Sequence, residues 1–248
     1  MKRIVSSLLL IFALSDAGSQ HSTRQSVESS PLTKPGILLY SATKGFRHSS
    51  IPDGIEAIQK MAVVHNWKIT ATEDSLYFST HDLQQFSAII LLNTTGNIFD
   101  SSSERALQQY IRSGGGLAGV HAATDCEYNW PWYNQLIGAY FESHPAIQTA
   151  TIRVKEKHPS TAHLEGTWVR KDEWYNFKNL SPTVKVLLEL DETTYKGGKM
   201  GTSHPVGWYQ EFEGGKVFYT ALGHTKESYT EPAFLKHLEG GILSVMRK

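Results

Sequence analysis

Three short apolar runs constrain the fold of this chain more than any other feature: Ile37-Leu38-Leu39-Tyr40, Ala88-Ile89-Ile90-Leu91-Leu92 and Leu117-Ala118-Gly119-Val120. None alternates between apolar and polar residues, so each predicts a strand buried on both faces. Helical patterns separate them. Ile51, Ile55, Ile58 and Ala62 share one face of a segment that Ser50 can cap and that carries Pro52 in its first turn. Trp67 to Thr72 alternates and reads as another strand. Ser101 and Glu104 form a capping-box pattern ahead of Leu107, Tyr110 and Ile111, and Gly114-Gly115-Gly116 stops that helix. The order is strand, helix, strand, strand, helix, strand. It predicts an α/β fold with a mostly parallel sheet covered by helices on both faces.

The second half has a different pattern. Residues 147–154, 184–190, 206–212 and 216–221 read as strands, with Gly214-Gly215 as a hairpin turn between the last two. Glu231-Pro232 opens a final helix that turns Phe234, Leu235, Leu238 and Ile242 inward. The parallel core is thus expected to carry an antiparallel extension. No linker interrupts residues 35–248, which are read as one domain. Residues 18–34 are rich in Ser, Thr and Gln and read as a linker.

The first seventeen residues look like a signal peptide. Lys2 and Arg3 precede an apolar stretch over residues 4–14, and Ser15-Asp16-Ala17 offers small residues for cleavage. The expected destination is the periplasm or the extracellular space. That stretch is shorter than the ~20 residues of a membrane span, and no later segment approaches that length, so no stable span is expected. The formal net charge is zero, which gives no electrostatic case for binding nucleic acid. Cys126 is the only cysteine, so no intrachain disulfide can form and the core must carry the stability.

Ligands of open α/β sheets bind at the carboxyl ends of the strands, so the polar residues just after each strand are the candidates. Phe46 and His48 follow the first run, Asn93 the central one, His121 and Asp125 the fourth strand, and His224 the late hairpin. Several imidazoles at one rim suit either acid–base chemistry near neutral pH or a metal site. His121, flanked by small residues, stands at the turn where related sheets hold a nucleophile. His144 and His204 each precede proline, which favours extended backbone. Asp172 and Glu173 sit beside Trp174 and Tyr175. On a strand only one of the two carboxylates can face a site, and burial among aromatics would raise its pKa. No P-loop, dinucleotide fingerprint, HExxH or serine elbow is present.

Six segments, taken together, resemble the motifs of the ThuA-like, or trehalose-utilisation, family. They are Lys44-Gly45-Phe46-Arg47-His48, the run from Gly114 to Ala123, the run from Gly138 to Pro145, Asp172-Glu173-Trp174-Tyr175, His204-Pro205-Val206-Gly207-Trp208 and the run from Gly215 to His224. The resemblance extends from about Ile37 to the C-terminus. It implies a flavodoxin-like fold of the class I glutamine amidotransferase-like variety. It also implies a role in catabolism of trehalose or of 3-keto sugars. Amidotransferases of that fold have a cysteine at the elbow, where this chain has His121, so glutamine hydrolysis is not expected.

The leading expectation is an enzyme that acts on a disaccharide or 3-keto-glycoside by hydrolysis, elimination or isomerisation. His121 is read as general base, His144, His204 and His224 as acid, orienting or ligand groups, and Glu173 as the carboxylate. Phe46, His48, Asn93, Asp125 and Trp208 are read as substrate contacts. Three alternatives stay open: a divalent metal on the histidines and Glu173, a non-catalytic sugar-binding module, and a surface interaction domain. Homo-oligomerisation is also left open.

Overall fold

The computed structural model describes residues 34–247. The expected signal peptide and, apart from Lys34, the expected linker lie outside the described residues. A nine-stranded sheet forms the centre. Its first half is β1 (Gly36–Tyr40), α1 (Ile51–His65), β2 (Lys68–Thr72), the short α2 (Tyr77–Thr80), β3 (Phe86–Leu92), α3 (Ser101–Arg112) and β4 (Gly116–Val120). Then come α4 (Pro131–Ile137), β5 (Tyr140–Ser143), β6 (Gln148–Val154), β7 (Thr167–Asp172), β8 (Asn176–Lys178), β9 (Lys185–Leu190), β10 (Pro205–Phe212), β11 (Gly215–Thr220) and α5 (Pro232–Val245). The strand order is β2-β1-β3-β4-β11-β10-β9-β6-β7, while β5 and β8 pair separately.

The strands from β2 to β11 run parallel, and those from β11 to β7 alternate in direction. This is the flavodoxin-like arrangement with an antiparallel extension. The apolar strands are buried because helices cover both faces. Neighbouring residues on β11 point opposite ways. Phe218 faces α5, with its ring 5.4 Å from that of His237. The Tyr219 ring packs tilted against Trp208, with centroids 4.3 Å apart, and the Trp208 indole donates to the Ile137 carbonyl of α4. Both faces therefore hold aromatic core, burial of which is the main stabilising term. Among the described residues no helix is long and apolar enough to cross a membrane.

Local details correct three expectations. Asp100, not Ser101, caps α3: its carboxylate accepts from the Ser103 N–H at 2.7 Å, and Ser101 is already helical. The β10–β11 turn is Glu213-Gly214, both with positive φ (46° and 93°), as a tight hairpin requires. Gly215 already belongs to β11. Ser50 makes no side-chain cap on α1; its hydroxyl instead donates to the Gly223 carbonyl at 3.3 Å. In α5, Phe234, Leu238 and Ile242 are buried and Leu235 is only partly so.

Candidate metal centre and substrate pocket

Three strand ends and one sheet corner deliver the site. His48 follows β1, His121 follows β4, His224 follows β11, and Glu173 follows β7. The strict period of β7 turns Trp168, Arg170 and Asp172 inward. Asp172 is fully buried, and Glu173 faces the histidines. Only one of the two carboxylates therefore meets the histidines.

The three imidazoles form a nearly equilateral triangle. Ring centroids are 4.9 Å apart for His48–His121 and 5.0 Å for both His48–His224 and His121–His224. Glu173 Oε2 lies 3.4 Å from His121 Nε2 and 3.0 Å from His224 Nδ1, which are 3.1 Å from each other. One donor atom from each of the four residues falls within 4.8 Å of the others, the only such group of at least three among the described residues. Donors on one cation lie at most about 4.2 Å apart, twice a metal–nitrogen bond of ~2.1 Å. A small inward movement would bring all four within range.

The orientation and burial of the donors fit a cation. His121 Nδ1 lies 2.7 Å from the Ala221 carbonyl, which can only accept. That nitrogen therefore carries a proton, and Nε2 is the ring nitrogen that turns into the cluster. His121 has φ +48°, a strained conformation for a residue with a side chain, and this backbone aims the ring from the end of β4. Burial, reinforced by the neighbouring His121 and His224, pushes His48 down to about 3, so it is neutral at physiological pH. Its Nδ1 is buried without a partner. An orphaned buried nitrogen is costly unless something occupies its lone pair or takes its proton. Burial pushes the Glu173 carboxyl up, but hydrogen bonds from His121 and His224 outweigh this and hold it well below the usual carboxylate range. The raised pKa expected from its aromatic neighbours is thus overturned, because imidazoles reach the carboxylate directly. Three imidazoles and one carboxylate are a donor set for a first-row divalent cation.

The cluster borders a cavity of about 380 Å³ lined by Phe46, His48, Asp125, Phe141, His144, Glu173, Tyr175 and His224. His144 Nδ1 approaches Glu173 Oε1 at 3.0 Å and the Pro145 carbonyl at 2.9 Å, which leaves Nε2 as its free nitrogen. Burial raises the Asp125 carboxyl above its usual range, and its Oδ1 accepts from the Tyr128 hydroxyl at 2.6 Å. Phe46 is exposed at the rim, and Phe141 packs on Tyr175 at 4.3 Å.

Three expected site residues are in neither the cluster nor the pocket lining. His204 is fully buried, bonded through Nε2 to the Tyr175 carbonyl (2.7 Å) and through Nδ1 to Glu192 (2.8 Å). It supports the segment that carries Glu173 and Tyr175 rather than facing the cavity. Trp208 belongs to the core between β11 and α4, because its side of the sheet is covered. Asn93 is buried behind the site, bonded to Ser50 and Gly223. His48 is a cluster member and not only a wall. The cavity also has two aromatic walls, Phe141 and Tyr175, of which Tyr175 lies two residues from Glu173 and belongs to an aromatic group that in sequence fits sugar rings or core equally. Cys126 is fully buried, and burial pushes its thiol far up, the opposite of a nucleophile.

Fold and site together define a flavodoxin-like α/β domain with a histidine–carboxylate centre at its strand-end rim. The sequence model of the ThuA family, described as trehalose utilisation, matches residues 36–244, and the chain belongs to that family. Among solved structures it is similar to a putative ThuA-like protein from Bacteroides uniformis, with 22% identity and a TM-score of 0.71 over 87% of this chain and 94% of that one. A putative ThuA-like protein from Parabacteroides merdae matches at 14% identity and TM-score 0.67, covering 87% of this chain and 92% of that one. A β-galactosidase from Bacillus circulans shares the fold over 85% of this chain and 31% of its own, at 12% identity and TM-score 0.58. A comparison with curated proteins gives no match.

Proposed function

We propose that this trehalose-utilisation family member is a metal-dependent enzyme that processes a disaccharide or 3-keto-glycoside. One observation carries the reading: His48, His121, Glu173 and His224 converge within 4.8 Å at the edge of a cavity walled by aromatic rings. A cation bound there supplies Lewis-acid polarisation of a substrate carbonyl or hydroxyl oxygen. Phe46, Phe141 and Tyr175 offer apolar faces to a sugar ring. His144, anchored through Nδ1, presents Nε2 to move a proton at the substrate. Asp125, its carboxyl raised above the ordinary range by burial, lines the same cavity as a second group able to exchange a proton. His121 is a ligand in this reading, not the general base, since its Nδ1 is committed to Ala221 and its Nε2 lies in the cluster.

Metal analysis of protein purified without a histidine tag tests the centre, and a panel of oxidised and unoxidised disaccharides tests the chemistry. Near-stoichiometric first-row metal and turnover abolished by chelator are expected. Metal-free protein with chelator-insensitive turnover would return the proton-transfer role to the histidines alone. Metal and sugar binding with no turnover on any substrate would favour a binding module. Export is part of the proposal, resting on the first seventeen residues, and N-terminal sequencing of the mature protein tests it.

A further inference from the structure

The segment 221–224 does more than deliver His224. The Ala221 carbonyl orients His121. Two residues on, the Gly223 peptide is bonded on both sides. Its N–H donates to Asp172 Oδ2 at 2.9 Å, while Asp172 Oδ1 accepts from the Glu173 N–H at 3.0 Å. One carboxylate therefore holds the backbones next to two cluster residues, Glu173 and His224. The Gly223 carbonyl accepts from Ser50 Oγ (3.3 Å), Asn93 Nδ2 (3.4 Å) and the Tyr229 hydroxyl (3.1 Å). Ser50 is two residues from His48 and also accepts from Asn93 Nδ2 at 3.1 Å.

Asp172, Ser50 and Asn93 are all buried, and none lines the cavity. Arg170 Nη2 lies 3.2 Å from Asp172 Oδ2 and balances its charge, itself wedged 4.9 Å from the rings of both Trp168 and Phe234. Gly223 has φ +106°, and a Cβ there would meet the Tyr229 hydroxyl at 2.9 Å, so the junction admits only glycine without rearrangement.

We propose that the Gly223 peptide is the junction that sets the cation site, with Asp172 and Ser50 as positioning residues for Glu173 and His48 against His224. The proposal rests on the metal-centre reading above. Groups behind metal ligands fix ligand orientation, and their loss typically costs ~10- to 100-fold in metal affinity. Asp172→Asn keeps the shape but can accept from only one of the two peptide N–H groups, because its NH₂ turns a donor toward the other. Ser50→Ala deletes one buried hydroxyl with little change in volume.

The test titrates Mn²⁺ and Zn²⁺ separately into chelator-treated wild type, Asp172→Asn, Ser50→Ala and Glu173→Gln, well below each variant's unfolding temperature. Wild type is expected to bind one equivalent. Asp172→Asn should bind ~10- to 100-fold more weakly, and Ser50→Ala roughly three- to ten-fold more weakly, the size of one hydrogen bond. Placed on the Glu173→Gln background, Asp172→Asn should cost much less, since one ligand it positions is already lost. Lowered unfolding temperatures with wild-type affinity in both variants would overturn the proposal while leaving the metal centre standing. No binding by wild type would overturn both. If Asp172→Asn fails to fold, Ser50→Ala decides: unchanged affinity sinks the junction.

Discussion

His121 Nδ1 lies 2.7 Å from the carbonyl oxygen of Ala221, and this one contact determines which nitrogen of the ring faces the cluster. His121→Ala should therefore remove a ligand, not only a base. Cation affinity is expected to fall by about 100-fold or more, at or beyond the upper end of what outer partners cost. Calorimetric titration of Mn²⁺ or Zn²⁺ reads it. Full metal occupancy in the variant would show that His121 is not a ligand.

His144 should behave differently, because it touches Glu173 and leaves Nε2 free at the cavity. His144→Ala is expected to retain the cation within about ten-fold. It should lower kcat by ~10²- to 10⁴-fold, the usual size of a lost general acid or base. A pure KM effect would make His144 a binding contact instead.

Stability should decline on mild acidification. Burial holds the fully buried His237 down at about 3, against an ordinary 6.5, and His48 at a similar value. Both stay neutral in the folded state, while the unfolded chain takes up protons below pH 6.5. The unfolded state thus gains relative to the folded one as pH falls from 6.5 toward 3. His237→Gln should flatten that slope by about one proton between pH 6.5 and 5, above the ordinary carboxylate range. Denaturant unfolding of metal-free protein across that range measures it, and an unchanged slope would exclude the assignment.

Trp208 tests the difference between core and site. Its fully buried indole packs on Tyr219 and donates to Ile137. Trp208→Ala should cost about 3–5 kcal/mol in unfolding free energy. Phe46→Ala, at the exposed rim, should leave stability within about 0.5 kcal/mol and raise KM. The reverse pattern would restore Trp208 as a substrate wall.

Cys126→Ala should leave turnover and cation affinity unchanged. The thiol is buried and bonded to Thr94 and the Ala122 carbonyl, and native protein should resist thiol reagents. Loss of activity would reopen a cysteine mechanism.

Much of this architecture can be read from the chain because its causes are local. Unbroken apolar runs such as Ala88 to Leu92 fit strands covered on both faces, and the residues after them fall near the strand-end rim. That reasoning already placed His48, His121 and His224 at strand ends. The helix cap slipped by one residue, from Asp100 to Ser101, because both side chains can accept from the first turn. Convergence is not local. His204 and His224 look alike in sequence, one before β10 and the other after β11. The two strands are antiparallel, so both residues reach the same end of the sheet. Only packing separates them: His204 is taken up by Tyr175 and Glu192, while His224 meets His48, His121 and Glu173. Trp208 posed the same ambiguity, since a doubly covered sheet buries both faces and alternation cannot tell core from cavity wall. The elements and the rim follow from periodicity along the chain. The triangle of imidazoles follows from side-chain directions and hydrogen bonds between segments as far apart as His48 and His224, which no spacing encodes.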